Sequence, residues 1–123
     1  VRSLRKNGLL ALLVDRPVPG DGVRVDFFGR EVEVPAGPAR LALRTGAVVV
    51  PTAFPRLNPS RPEVTTLADF TIDFTPQGDE ERDVRALTQA IMHSHEAFIR
   101  SYPDQWYMFR EMWPRVAAPQ AAP

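Results

Sequence analysis

Residues 79 to 100 constrain this chain more than any other stretch. Val84, Leu87, Ile91, Phe98 and Ile99 recur at helical spacing, which gathers them on one face of a single long helix. Asp79, Glu80 and Glu81 stand at its start, where the positive end of the helix dipole favours acidic side chains. Pro103 breaks it. With 123 residues in all, the chain has room for one compact domain around this helix and not for two.

The remaining segments read as short strands and loops. Leu9-Leu10-Ala11-Leu12-Leu13-Val14 is an unbroken apolar run, entered through Asn7-Gly8 and closed by Asp15. Its shortness and bounding turn residues fit a strand buried on both faces, as in a parallel sheet. Arg16 to Gly22 holds two prolines and two glycines and is a loop. Val23, Val25 and Phe27 alternate with Arg24 and Asp26, and Glu31 to Val34 alternates again, the period-2 pattern of half-buried strands. Pro35-Ala36-Gly37-Pro38 opens a short helix, since proline suits the first helical turn, and Gly46 stops it. Ala47 to Val50 reads as a second buried strand, so that strand, helix, glycine and strand suggest a βαβ unit. Pro51 to Pro62 is irregular, and Val64 to Phe74 reads as a longer strand with Phe70, Ile72 and Phe74 on one face. Asp104 to Trp113, rich in aromatic residues and methionine, is expected to add a helical turn or two. Residues 1 to 114 form the domain, and 115 to 123 an Ala/Pro tail expected to be disordered. The fold class is α/β, a mixed sheet with a long C-terminal helix.

Composition narrows the functions open to such a domain. Absence of cysteine excludes disulfides and thiolate metal sites. Net charge is zero, which offers no broad basic field for nucleic acid. No run approaches the ~20 apolar residues needed to span a bilayer. The two histidines, His93 and His95, are two positions apart on the helix, so they face different ways and do not form an i, i+4 metal pair. Neither is followed by an acid five residues on. Ser3, Ser60, Ser94 and Ser101 lack a nucleophile elbow, and no phosphate loop or dinucleotide fingerprint occurs. No metal or cofactor is implied.

Two polar constellations remain. Asp15-Arg16 ends a strand-like run and opens a Pro/Gly loop, the position where open α/β sheets bind ligands; equally, Asp15 caps a turn and Arg16 is solvated. Phe27-Phe28-Gly29-Arg30 sets paired aromatics beside an arginine, suited either to an acyl or headgroup site or to plain packing.

Four ordered motifs carry a resemblance. Leu12-Leu13-Val14-Asp15-Arg16, Gly22-Val23-Arg24-Val25-Asp26-Phe27-Phe28-Gly29, Pro35-Ala36-Gly37-Pro38-Ala39 with Leu41 to Ala47, and Pro103-Asp104-Gln105-Trp106 occur in sequence. Together they resemble the late acyltransferases of lipid A biosynthesis and their phosphatidylinositol mannoside acyltransferase relatives, over about Gly8 to Trp113. The resemblance implies an enzyme at the cytoplasmic face of the bacterial cell membrane. It would move a fatty acyl group from acyl-CoA or acyl carrier protein onto a glycolipid hydroxyl. It also implies a catalytic histidine with an acid five positions on, N-terminal of Asp15-Arg16. That pair does not occur here, and the chain has no initiator methionine. The expectation is therefore a C-terminal half, inactive alone, with no catalytic residue of its own.

By the same resemblance, Asp15, Arg16, Phe27, Phe28, Gly29 and Arg30 are the expected substrate-binding residues. Arg30 is placed as a phosphate or headgroup contact, for which a guanidinium fork is well shaped. An unpaired strand edge near Leu9 to Val14 would favour a homo-oligomer of the fragment. The rival reading is a non-catalytic α/β module that binds a lipid headgroup or a protein partner; a third is a soluble α/β enzyme of another family.

Overall fold

The computed structural model describes residues 2–16, 20, 22–58, 60–61, 67–68 and 71–113. Its centre is a hairpin laid on the long helix. Strand β1 (Val23–Phe27) pairs antiparallel with β2 (Arg30–Val34), with Phe27 opposite Arg30 and Val25 opposite Val32. Val25, Phe27, Val32 and Val34 point inward and are buried, while Arg24 and Glu31 stay outside as an exposed cross-strand pair. The alternation seen in the sequence is thus the two-faced character of a sheet with one dry side.

Helix α1 (Gly37–Thr45) follows. Pro38 lies in its first turn, and Gly46, at φ 68°, closes it by donating its N–H to the Ala42 carbonyl. Its small residues Ala39 and Ala42 are buried and let the helix approach the core closely. Helix α2 (Glu80–Ser101) starts at Asp79, whose carboxylate accepts the Arg82 N–H at 3.1 Å. Buried Asp83 accepts the N–H groups of Gln77 and Gly78, which ties the incoming chain to the first turn. Val84, Leu87, Ile91 and Met92 complete the core beneath β1 and β2. Among the described residues no helix is long and apolar enough to cross a membrane.

α2 also occupies the free edge of β1. Gln89 bonds both backbone groups of Asp26, accepting its N–H at 2.7 Å and donating to its carbonyl at 2.8 Å. Glu96, seven residues on and so on the same helical face, accepts the Phe28 N–H at 2.7 Å. These side chains do for β1 what a third strand would do.

A mixed α/β architecture with a long late helix is what the sequence predicts and what the chain has. Several elements differ from the expectation. Leu9 to Val14 forms no strand: Leu9 (87% exposed), Leu10, Leu12 and Leu13 are open to solvent and only Val14 is buried. An apolar run becomes a buried strand only when a neighbour supplies ladder partners, and no described residue pairs with it. The expected βαβ unit is likewise not formed, because both described sheets are antiparallel. Residues 47–50 form no buried strand: Val48 and Val50 are exposed, and the Val49 carbonyl takes the Ile72 N–H at 3.0 Å. Beyond them β3 (Thr52–Ala53) pairs with β4 (Leu67–Ala68). The expected longer strand is described only at Leu67–Ala68, and residues 71–74 carry no strand; Ile72 and Phe74 are half-buried against the core, whereas Phe70 lies outside the described residues. After Pro103 a single 3-10 turn, Pro103–Gln105, gives way to irregular chain, tightened where the Trp106 carbonyl accepts the Met108 N–H at 3.0 Å, in place of the expected helical turns. The tail beyond Trp113 lies outside the described residues.

Candidate functional site

The turn joining β1 to β2 holds two residues, Phe28 and Gly29, both at positive φ (55° and 74°). That geometry matches the right-handed twist of a hairpin and normally selects Asn-Gly. Glycine meets it freely. Phenylalanine does not, and its left-handed backbone costs about 1–2 kcal/mol. Two contacts hold it there: the Glu96 carboxylate on its N–H, and the Asp26 carboxylate on the neighbouring Gly29 N–H at 3.1 Å. A bulky residue fixed in a costly conformation is a common mark of a functional site.

The conformation places the Phe28 ring in an aromatic cluster. Phe27 and Phe28 meet edge-on at 4.7 Å. Trp113 stacks on Phe27 at 6.0 Å, and Trp106 meets the same ring edge-on at 5.9 Å. Contacts of this kind add about 0.5–1.5 kcal/mol each beyond their buried area. Both indole N–H groups point inward: Trp113 donates to the Phe27 carbonyl at 3.1 Å, and Trp106 to the Asp15 carboxylate at 3.2 Å. Residues from three distant parts of the chain are thereby fixed at one place.

Arginines border the cluster. The Arg30 guanidinium lies 5.4 Å from the Trp113 ring centre, and that of Arg100 lies 4.9 Å from Phe28, both within cation–π range. Arg100 also meets Glu96 at 3.5 Å. Beside them opens a groove of about 420 Å³, lined by Arg30, Trp106, Met108, Arg110, Met112 and Trp113 among others. A mostly apolar wall with guanidinium groups at its rim can hold an alkyl or sugar surface and pair with an anionic oxygen.

Of the residues singled out from sequence, Asp15, Phe27, Phe28, Gly29 and Arg30 all belong to this cluster or its turn, with Asp15 acting as an acceptor. Arg16 is exposed on the segment leading away from it. Phe27 is fully buried, so its role is to support the cluster from beneath. Sequence reasoning missed Glu96, Arg100 and Trp113. The alternation of Trp106, Met108 and Met112 with Tyr107 and Phe109 was the available signal for the last wall. His93 stands 3.0 Å from the Gln89 amide, and His95 Nδ1 stands 3.3 Å from the Ile91 carbonyl, both within α2. Among the described residues no acidic and histidine group is arranged to hold a metal.

Comparison with known proteins adds a further finding. The family model described as bacterial lipid A biosynthesis acyltransferase matches residues 1–115. A phosphatidylinositol mannoside acyltransferase of Mycolicibacterium smegmatis is 31% identical, over 89% of this chain and 34% of its own length. One from Mycobacterium tuberculosis is 33% identical, over 89% of this chain and 32% of its own. The chain therefore spans about a third of the length of the curated relatives it matches.

Proposed function

Because the chain belongs to the bacterial lipid A biosynthesis acyltransferase family, we propose that it forms the acceptor-binding side of an enzyme that acylates a glycolipid. The donor is acyl-CoA or acyl carrier protein, the acceptor atom is a glycolipid hydroxyl, and the setting is the cytoplasmic face of the cell membrane. The observation that carries this reading is the aromatic cluster of Phe27, Phe28, Trp106 and Trp113 with Arg30 at its rim. In acyl transfer a base deprotonates the hydroxyl, the oxygen attacks the thioester carbonyl, and the thiol leaves. Both histidines of this chain are engaged within α2, which supports a base supplied from elsewhere in the enzyme. What these residues contribute is orientation: apolar rings against the glycolipid and a guanidinium on a phosphate oxygen.

The test uses an enzyme that contains this chain, with thiol release from acyl-CoA and transfer to a glycolipid acceptor followed together. A charge-assisted contact of about 1.5–3 kcal/mol predicts that Arg30→Ala lowers kcat/KM by roughly 10- to 150-fold. Arg30→Lys should recover little, since a point charge lacks the fork. The 123-residue chain alone is expected to release no thiol above blank. Near-parental kcat/KM in Arg30→Ala, with an unchanged melting temperature, would remove this residue from the site.

A further inference from the structure

The Pro103-Asp104-Gln105-Trp106 motif stands where α2 ends and the groove wall begins. Tyr102 closes α2 by donating its N–H to the Phe98 and Ile99 carbonyls, and its own carbonyl accepts the Gln105 N–H at 3.1 Å. Trp106, the next residue, meets three parts of the site. Its ring lies against Phe27 and Phe28, its indole N–H donates to Asp15, and it lines the groove with Arg30. Only a single 3-10 turn joins the helix to this wall, and so short a turn has little stiffness of its own. Gln105 supplies a second restraint. Its half-buried side chain crosses to the segment after β3, where it accepts the Arg56 backbone N–H at 2.6 Å and donates its amide to the Arg56 carbonyl at 3.0 Å. Arg56 follows buried Pro55 directly and stands three residues past Ala53, the end of β3, so the turn is tied to chain that is itself held. Gln89 makes the same two-bond contact with Asp26 at the edge of β1.

We infer that Gln105 is a positioning residue of the groove: its grip on the Arg56 backbone sets the turn from which Trp106 reaches Asp15 and forms the wall. Gln105 does not itself line the groove, so it acts through its neighbour. Two adjacent residues carry two long-range contacts, one to a backbone 49 residues away and one to a carboxylate 91 residues away. Loosening the first frees the turn, and the indole then tilts off the Asp15 carboxylate. The contact needs a primary amide, because only a donor and an acceptor side by side meet both backbone groups of one residue. Glutamate keeps the acceptor and sets a carboxylate against the Arg56 carbonyl. Alanine leaves both backbone groups to water. The inference rests on the glycolipid reading above for what the groove holds, and adds a residue that shapes it.

The chain has two tryptophans, so nitrogen labelling gives two indole N–H signals by NMR, and Trp113→Phe tells them apart. The Trp113 N–H, which donates to the Phe27 carbonyl, is the internal control. Gln105→Ala should speed hydrogen exchange of the Trp106 indole at least about tenfold, as expected for the loss of two neutral hydrogen bonds. The Trp113 indole should change by less than about twofold. Gln105→Glu, which lacks the donor, should also free the Trp106 indole, and it carries the comparison if Gln105→Ala does not fold. In an enzyme that contains this chain, the same substitution should raise KM for the glycolipid acceptor about tenfold and leave kcat within about twofold, the mark of lost substrate binding. An unchanged Trp106 indole overturns the inference. So does equal acceleration of both indoles with a lower melting temperature, which would mean that Gln105 only supports the fold. A freed Trp106 indole with acceptor KM unchanged overturns it too. If the parent enzyme transfers no acyl group to a glycolipid, the acyltransfer reading fails, while the indole comparison still decides this one.

Discussion

Removing the Glu96 carboxylate tests how the hairpin tip is held. Its side chain is only 14% exposed and accepts the Phe28 N–H across 68 residues of sequence. Glu96→Ala leaves that N–H, part-buried, without an acceptor, which costs about 1–3 kcal/mol. The lost pair with Arg100 adds little, because Arg100 is mostly in water and a surface pair contributes about 0–0.5 kcal/mol. The left-handed backbone of Phe28, worth about 1–2 kcal/mol against it, then loses one of its two restraints. A net destabilisation of about 2 kcal/mol corresponds to a fall in melting temperature of about 8 °C for a domain of this size. Glu96→Gln keeps an acceptor oxygen and loses the charge, so about 1 kcal/mol and 4 °C are expected. Thermal melts by circular dichroism measure the cost, and amide exchange at Phe28 shows whether the bond is its source. That amide should exchange slowly in the parent, faster in Glu96→Gln and fastest in Glu96→Ala. A shift under about 2 °C in Glu96→Ala, with Phe28 exchange unchanged, would refute the reasoning.

Three further outcomes are expected. A Cβ at Gly22 would lie 2.5 Å from the Val34 carbonyl oxygen, so Gly22→Ala should separate the start of β1 from the end of β2 and cost about 1–3 kcal/mol in a chemical denaturation series. The Glu33 carboxylate is held below its ordinary value of 4.5, first by the Gly20 N–H, with the Gly22 N–H and Arg24 helping and burial opposing. A depressed folded-state value stabilises above the unfolded value and is lost as pH falls through the folded one. Glu33→Gln should therefore lower stability at neutral pH and flatten the acid limb below about pH 4.5, so that the two curves converge in acid. Exposed Leu9, Leu13 and Val48 should drive concentration-dependent association of the isolated chain, visible in light scattering, and a Leu9→Glu/Leu13→Glu variant should suppress it.

The elements legible in the sequence were those whose reasons are local. Val25 and Phe27 alternate with charges because one face of β1 is dry. Gly46 ends α1 because the chain there turns left-handed. Asp79 caps α2 with its own side chain. Leu9 to Val14 misled because hydrophobicity signals a wish for burial and says nothing about what will cover it. The site divided along the same line. Phe27, Phe28, Gly29 and Arg30 are contiguous and stood out together. Glu96 and Arg100 sit among the polar residues of a helix and read as solvated until the edge of β1 is seen beside them. Asp15 carried a signal in sequence, but its partner Trp106 lies 91 residues away, and nothing local announces that pairing.

The row of contacts from α2 to β1 has a mechanical consequence. Gln89 grips Asp26 and Glu96 grips Phe28, so helix and hairpin are riveted at two points and neither slides nor rolls without the other. Arg100 sits one helical turn beyond the second rivet, with its guanidinium over the Phe28 ring. The turn and the end of α2 thus share their contacts at the border of the aromatic cluster. The hairpin tip and the C-terminal half of α2 are thereby joined as one unit.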